Sequence, residues 1–462
     1  MKNLKNIFFT ACLMLLMASC RKEEIGDVQQ PVGLGGEVTT PTAIDKWIFD
    51  SLTKPYNISA KYKWDPFNVS LFKTLVPADE SRVIPLFSAL KRVWINPYND
   101  ETGSDLFIKK YSPKQFVLVG SVEYDFYSVT LGQAEGGNNI VFFDVNQNYD
   151  KNPVTSIKRV IHTAHHEFAH ILHQTVMYPQ DFKGISTKLG FPGYTATWFN
   201  VPETTAFSQG YATAYSRSNP DDDFVEMIAT MLTEGKPRWE EMKAATNAGA
   251  RQALQQKEDF VVTYYRQVWN IDFYSLQRRV QTALNALYPP PPVFDLFGFG
   301  KDFTSGQVGT RTAFYTFPAF VPFPASAAFT TLYTAVKNRF LAEVPSLTLR
   351  SFEVFFNSAT TMQVFMYYNP NNTAANAAAP SAFAAYTFSA VKDAAGIYTF
   401  TLTGGNANAA ARQASANQLL AYFNSNKFSL DWYESPNVSN YPKVRFTPVA
   451  LPNNWFVVAL AP

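Results

Sequence analysis

The run HTAHHEFAHILHQ, residues 162–174, holds all five histidines of this 462-residue chain. Within it His166, Glu167 and His170 spell HExxH. Histidines four apart on a helix project from one side and can share a tetrahedral zinc ion. The glutamate between them can act as general base on a water at that ion. On an ideal helix of about 100° per residue, His162, His170 and His173 fall within roughly 40° of His166. Ile157, Ile161, Ala164, Phe168 and Ile171 gather on the opposite side. Asn152-Pro153 supplies an N-cap followed by proline at the first helical position. The segment predicts a helix with one face in a core and one face of imidazoles.

A catalytic zinc site takes three protein ligands and leaves a position for water. A motif extended by a third histidine at position 176 fails, because Val176 stands there. No histidine lies outside the cluster, so the third ligand is a carboxylate or His173. His173 is awkward, being nearly in line with the other two on one helix. The stretch SNPDDDFVEMIATML, residues 218–232, offers carboxylates. Asn219-Pro220 is again a cap with a first-turn proline, opening a second helix. On it Asp222 and Glu226 share a face, while Phe224, Ile228 and Met231 point away. The helix macrodipole alone favours acidic residues in a first turn, but next to HExxH the DDD run reads as a ligand source. Asp222 is the expected ligand, with Glu226 as an acceptor orienting one ligand histidine. Asp223, one position round the helix, competes for the role, and Glu226 could also bind directly.

The run GYATAYSRSNPDDDFVEMIA, residues 210–229, resembles the late motif of glutamate-type zincins related to lethal-factor-like and proline-specific endopeptidases. There a tyrosine precedes an acidic ligand by seven residues, and the ligand opens an acidic-x-aromatic-x-Glu helix. Tyr215, Asp222, Phe224 and Glu226 fit, with Asp in the Glu slot, a reach shorter by one methylene. The resemblance implies that Tyr215 donates a hydrogen bond to the oxyanion of a tetrahedral intermediate, with Tyr211 as the alternate. Nearly the whole chain is similar to the zinc metallohydrolase lipoproteins that accompany TonB-dependent substrate import. That similarity implies a Zn2+ cofactor and a peptide or glycopeptide substrate. As partners it implies a TonB-dependent transporter and its surface binding lipoprotein.

Lys2 and Lys5 precede an apolar run over residues 7–17, then Ala18-Ser19-Cys20. An apolar run of about 11 residues suits a signal peptide and is too short for a stable bilayer span. The small residues before Cys20 resemble a lipobox. This implies lipidation at Cys20 and a lipoprotein of the Gram-negative outer membrane. Arg21-Lys22-Glu23-Glu24 resembles a surface-export signal, implying exposure at the cell surface. The other cysteine, Cys12, lies in the segment to be removed, so no structural disulfide is expected. A net charge of +2 with 16% charged residues lacks the dominant basic patch of a nucleic-acid binder.

The expected fold class is α+β: a zincin-like metallopeptidase domain (active-site helix plus small sheet) followed by a mostly-β accessory domain. Residues 1–20 read as the signal peptide, 21–44 as a flexible tether and 45–287 as the metallohydrolase domain. Four prolines at 289–292 cannot continue a helix and mark a linker over 288–293, ahead of an accessory domain over 294–462. Within the first domain, GGNNIVFFDV predicts a strand at 140–145, the expected edge for pairing with an extended substrate backbone. Helices are expected at 257–269 and 275–287. In the second domain SFEVFFNS, TMQVFMYYN, GIYTFTLTG and KVRFTPVAL read as strands. NNTAANAAAP and GGNANAAARQ read as loops, and 327–340 as a helix capped by Ser326.

Together these readings predict metal-assisted hydrolysis of a peptide bond, with His166, His170 and Asp222 on zinc, Glu167 as proton carrier and Tyr215 as oxyanion donor. The alternative is a non-catalytic surface lipoprotein that binds nutrient glycans or peptides, and an intact Glu167 weighs against it. A structural zinc site would close with four protein ligands, often cysteines, and the folded body has no cysteine.

Overall fold

The computed structural model describes residues 40–65, 69, 72–124, 129–130, 132–135, 139–146, 153–308, 324–343, 347–369, 382–437, 439 and 442–460. The signal segment with Cys20, the tether up to residue 39, Asn152 and the stretch 371–380 lie outside these residues. The chain divides into two units, Met1–Lys46 and Trp47–Pro462. In the first, Thr42 and Asp45 cap each other's backbone N–H at 3.1 and 2.8 Å, the reciprocal arrangement of a capping box. The helix Ala43–Ile48 therefore starts inside the end of the expected tether. The second unit contains both a helical part and a β-barrel.

Four short strands form the small sheet: Ser59–Lys61 (β1), Gln115–Leu118 (β2), Gly132–Glu135 (β3) and Asn139–Phe142 (β4). Their order is β1-β2-β4-β3, with β1, β2 and β4 parallel and β3 antiparallel to β4. This corrects the expectation for 140–145. β4 is paired on both sides, so its backbone groups are used up within the sheet, and the edge beside it is β3. The strand also ends early, because Asp144 takes φ 61°, a left-handed conformation that carries the chain out of the ladder. From there its carboxylate reaches Arg159 at 3.0 Å.

Arg159 lies on α1, Pro153–Thr175, the helix of the HExxH run. A chain of aromatic rings ties the apolar face of α1 to the sheet. Phe142 meets Phe116 at 5.6 Å, Phe116 meets Trp94 at 5.9 Å, and Trp94 meets Phe168 at 5.4 Å. Full burial of each such side chain contributes about 1.5–3 kcal/mol. α2, Pro220–Ala245, packs along the histidine face of α1. Asn219 starts it as expected, its Oδ1 accepting from the N–H groups of Asp221 and Asp222 at 2.9 and 3.0 Å. α3 (Ala248–Trp269) and α4 (Phe273–Leu287) follow, each opened by a side-chain cap from Asn247 or Asp272.

α2 is broken at Gly235, whose φ of 78° leaves the helical region. Pro237 has no N–H to offer residue 233 and its ring crowds that carbonyl. The freed carbonyls are met from α4. Gln277 Nε2 donates to Met231 O at 2.6 Å, and Gln281 Nε2 donates to Leu232 O and Thr233 O at 2.7 and 2.9 Å.

Beyond the prolines, eight strands close into a barrel. They are Ser305–Val308 (β5), Thr348–Ser358 (β6), Thr361–Asn369 (β7), Ala382–Lys392 (β8), Tyr398–Gly405 (β9), Lys427–Glu434 (β10), Lys443–Pro448 (β11) and Phe456–Leu460 (β12). The order around the barrel is β8-β9-β10-β11-β12-β5-β6-β7, every pair antiparallel. β6, β7, β9 and β11 are the strands expected; the other four are additional. α5, Ala327–Glu343, begins at Ser326, whose Oγ accepts from Phe329 N at 3.1 Å. The stretch GGNANAAARQ is not a loop. It closes β9 and then opens α6, Ala407–Asn424, with Asn406 Oδ1 accepting from Ala409 N at 2.8 Å. Alanine is the strongest helix former and Asn a strong cap, and those preferences outweigh the Gly/Asn texture. α5 and α6 send Phe329, Tyr422 and Phe423 into one cluster with Phe352, Phe400, Phe428 and Phe456 of the barrel.

Candidate metal centre

α1 and α2 turn three donor atoms toward one point. His166 Nε2 and His170 Nε2 are 3.2 Å apart. Asp222 Oδ1 lies 3.2 Å from His170 Nε2 and 3.8 Å from His166 Nε2. Nitrogen and oxygen ligands bonded at about 2.0–2.2 Å in a tetrahedron stand about 3.4 Å from one another. The three edges bracket that value, so the donor set fits a zinc ion.

The atoms facing away from this point are tied down. His166 Nδ1 bonds Glu226 Oε1 at 2.7 Å. The same oxygen takes His162 Nε2 at 2.9 Å, and Glu226 Oε2 accepts from Thr213 Oγ1 at 2.6 Å. Asp222 Oδ2 accepts from Ser218 Oγ at 2.5 Å and from Asn219 Nδ2 at 2.6 Å. Asn219 thus caps α2 and also aims the Asp222 carboxylate. His170 Nδ1 sits 2.9 Å from His173 Nε2. The imidazole face of α1 is therefore an interior surface, with His166 and His173 both buried.

The electrostatics favour a cation. Burial raises the Asp222 pKa, but hydrogen bonds from His170 and Ser218 prevail and hold it below its ordinary value. Burial likewise works against Glu226, and the charges and bonds of His162 and His166 hold it well below. Burial disfavours a charged His166, yet the Glu226 carboxylate overrides it and raises its pKa to about 9. Carboxylates that keep a proton on a buried imidazole also favour a divalent cation, whose binding displaces that proton. Burial pushes His173 down to about 4.

Glu167, 6% exposed, is lifted above the ordinary carboxylate range by burial, against the opposing pull of His166 and His170. Tyr215 stacks beside His166, ring centroids 5.7 Å apart and planes 25° apart. It is 37% exposed and borders Trp198 at 4.8 Å. Burial, then the Asp222 carboxylate, raise its phenol well above the ordinary value, so it remains a donor.

The alternates go elsewhere. Asp223 is fully buried on the far side of α2, 2.6 Å from Lys257 Nζ on α3 and accepting from Tyr194 at 3.0 Å. Tyr211 is packed away and donates to Pro192 O at 2.8 Å. Glu226 joins a second donor group with His162 and His166, but there its Oε1 accepts from both imidazoles. Thr213 and Ser218 are contributors that the sequence reading passed over. Only Ser218 carried a signal, standing one helical turn before Asp222.

A helix-borne HExxH whose two histidines converge with a carboxylate from a second helix fits the class of zinc-binding metallopeptidases. Residues 37–274, more than half of the chain, match the family described as "putative zinc-binding metallo-peptidase", and the chain belongs to that family. It is also similar to a protein of known crystal structure described as a "putative zinc-binding metallo-peptidase" from Bacteroides caccae. The two are 30% identical, over 53% of this chain and 92% of that one, with a TM-score of 0.46. No curated protein matches the chain significantly.

Proposed function

We propose that the protein is a zinc-dependent metallopeptidase with His166, His170 and Asp222 as its metal ligands. The observation that carries this reading is the convergence of His166 Nε2, His170 Nε2 and Asp222 Oδ1 at 3.2–3.8 Å, with Glu167 next to them in the chain. A zinc ion held by His166, His170 and Asp222 would supply Lewis acidity for hydrolysis of a carbonyl group. Glu167 takes the proton from the attacking water and returns it to the leaving amine nitrogen. Its raised pKa brings it nearer neutrality, where a proton can be accepted and released. Tyr215 donates its phenol proton in a hydrogen bond to the oxyanion. We place the enzyme on the outer membrane through lipid on Cys20, acting on peptides or glycopeptides linked to TonB-dependent import. The leader and the residues around Cys20 support that placement.

The test is zinc calorimetry on the purified protein, with a peptide-library cleavage assay alongside. We expect one tight zinc, chelator-sensitive cleavage, and a loss of about 10²–10⁴-fold in kcat for Glu167→Gln at unchanged zinc stoichiometry. Absence of zinc binding, or a Glu167→Gln enzyme as fast as wild type, overturns the proposal. Zinc without cleavage would leave a binding lipoprotein as the reading.

A further inference from the structure

The two ligand histidines rest on different partners. His166 leans on a carboxylate; His170 leans on another imidazole, with His173 Nε2 at 2.9 Å from its Nδ1. To offer its Nε2 lone pair to the metal position, neutral His170 must carry its proton on Nδ1. It is then the donor, and His173 Nε2 must accept. The proton of His173 is in turn left on Nδ1, which is buried without a hydrogen-bond partner. The His173 ring itself packs edge-on against two aromatic rings, with centroids 5.6 Å from Tyr178 and 6.4 Å from Phe224. The Tyr178 hydroxyl is committed to Asp221 at 2.5 Å.

An apolar side chain would suit this pocket better than an imidazole with a stranded N–H, because an unpaired buried donor costs stability. The one thing His173 provides that leucine could not is an acceptor for His170. A carboxylate could provide one too, but only by adding another negative charge beside Asp222, Glu226 and Glu167. An imidazole accepts without adding charge. We propose that His173 is a positioning residue that fixes the tautomer and ring plane of His170. This rests on the zinc reading of the site, and it also explains why His173 is not a ligand: its Nε2 is already engaged.

The test compares His173→Leu and His173→Gln with wild type, measuring zinc affinity by chelator competition and the thermal midpoint of the metal-free protein. The leucine variant should bind zinc about 10–100-fold more weakly, while its metal-free midpoint stays level or rises. A packing role would instead lower both together. The glutamine variant places an amide oxygen roughly where Nε2 stands, so it should recover most of the lost affinity. Leucine binding zinc as tightly as wild type, or glutamine no better than leucine, overturns the inference. Should the leucine variant fail to fold, nitrogen-15 NMR of the zinc-loaded wild type decides. A proton on His170 Nδ1 coupled to His173 Nε2 upholds the inference, and its absence overturns it. Wild type that binds no zinc removes the metal reading itself, a result distinct from every variant outcome.

Discussion

At the scale of the residue, one step along α2 separates two fates. Asp222 and Asp223 differ by about 100° of helix rotation. The first faces His170; the second faces Lys257 at 2.6 Å, with both members of that pair at most 1% exposed. Alanine at each should therefore fail differently. Asp222→Ala is expected to lose zinc while remaining folded, since Ser218 and Asn219 are near solvent and can rehydrate. Asp223→Ala strands a buried ammonium, which costs about 3–5 kcal/mol, and should still bind zinc in its folded fraction. Calorimetry and urea unfolding on the two variants check this; zinc lost only in Asp223→Ala would mean the ligand is misassigned. His166, Glu167 and His170 are legible from sequence because their relation is local, set by helix pitch alone. The choice between Asp222 and Asp223 is not wholly local. The four-residue spacing to Glu226 favours Asp222, but what draws Asp223 away is a lysine one helix later, which nothing within 218–232 encodes.

At the scale of the element, the break in α2 lets one helix present Asp222 and Glu226 to the site and then change course. Gly235 supplies the positive φ and Pro237 forbids the straight continuation, and Gln281 answers two of the carbonyls that the break frees. Gln281→Leu should cost about 1–3 kcal/mol through those unpaired acceptors, with zinc stoichiometry unchanged. Urea denaturation and metal titration of that variant measure both quantities. A stability equal to wild type would show that the kink does not need its side-chain caps. Elements were readable where one signal dominated: the capped start of α2, α5 behind Ser326, the alternating β6 and β7. They were misread where two signals competed. In α6 the Gly-Gly-Asn opening looks like a turn, yet it is a strand end joined to a cap, and the alanines decide. For β4 the strand is real, but strand order in a sheet is set by long-range packing. Its inner position could not be read from its own residues.

At the scale of the whole molecule, the back of the site helix is built into the main core of the helical part. Phe168 on α1 meets Tyr98 at 5.0 Å, and the Tyr98 hydroxyl meets that of Tyr265 on α3 at 3.2 Å. The barrel joins the same body at a polar seam: Trp432 Nε1 donates to Pro291 O at 2.7 Å, Asn437 Nδ2 to Tyr288 O at 2.8 Å, and Ser439 to Glu241. Position of the active face thus depends on a core that has two phenols, both fully buried, at its centre. Burial raises the Tyr98 and Tyr265 pKa values above the ordinary 10.0. A phenol whose pKa is higher in the folded state holds its proton there after the unfolded chain has released it. Its contribution is therefore intact below pH 10 and is lost as pH rises beyond it, at up to about 1.4 kcal/mol per pH unit for each phenol. Alkaline unfolding should consequently be cooperative, with tyrosinate absorbance from these two residues appearing together with loss of helical circular dichroism. Tyr98→Phe removes one of the two protons, so the fall of stability with pH above 10 should become shallower. If both phenols ionise while the helices persist, water reaches this core and the rigid backing of the site helix is not what holds His166 and His170 in place.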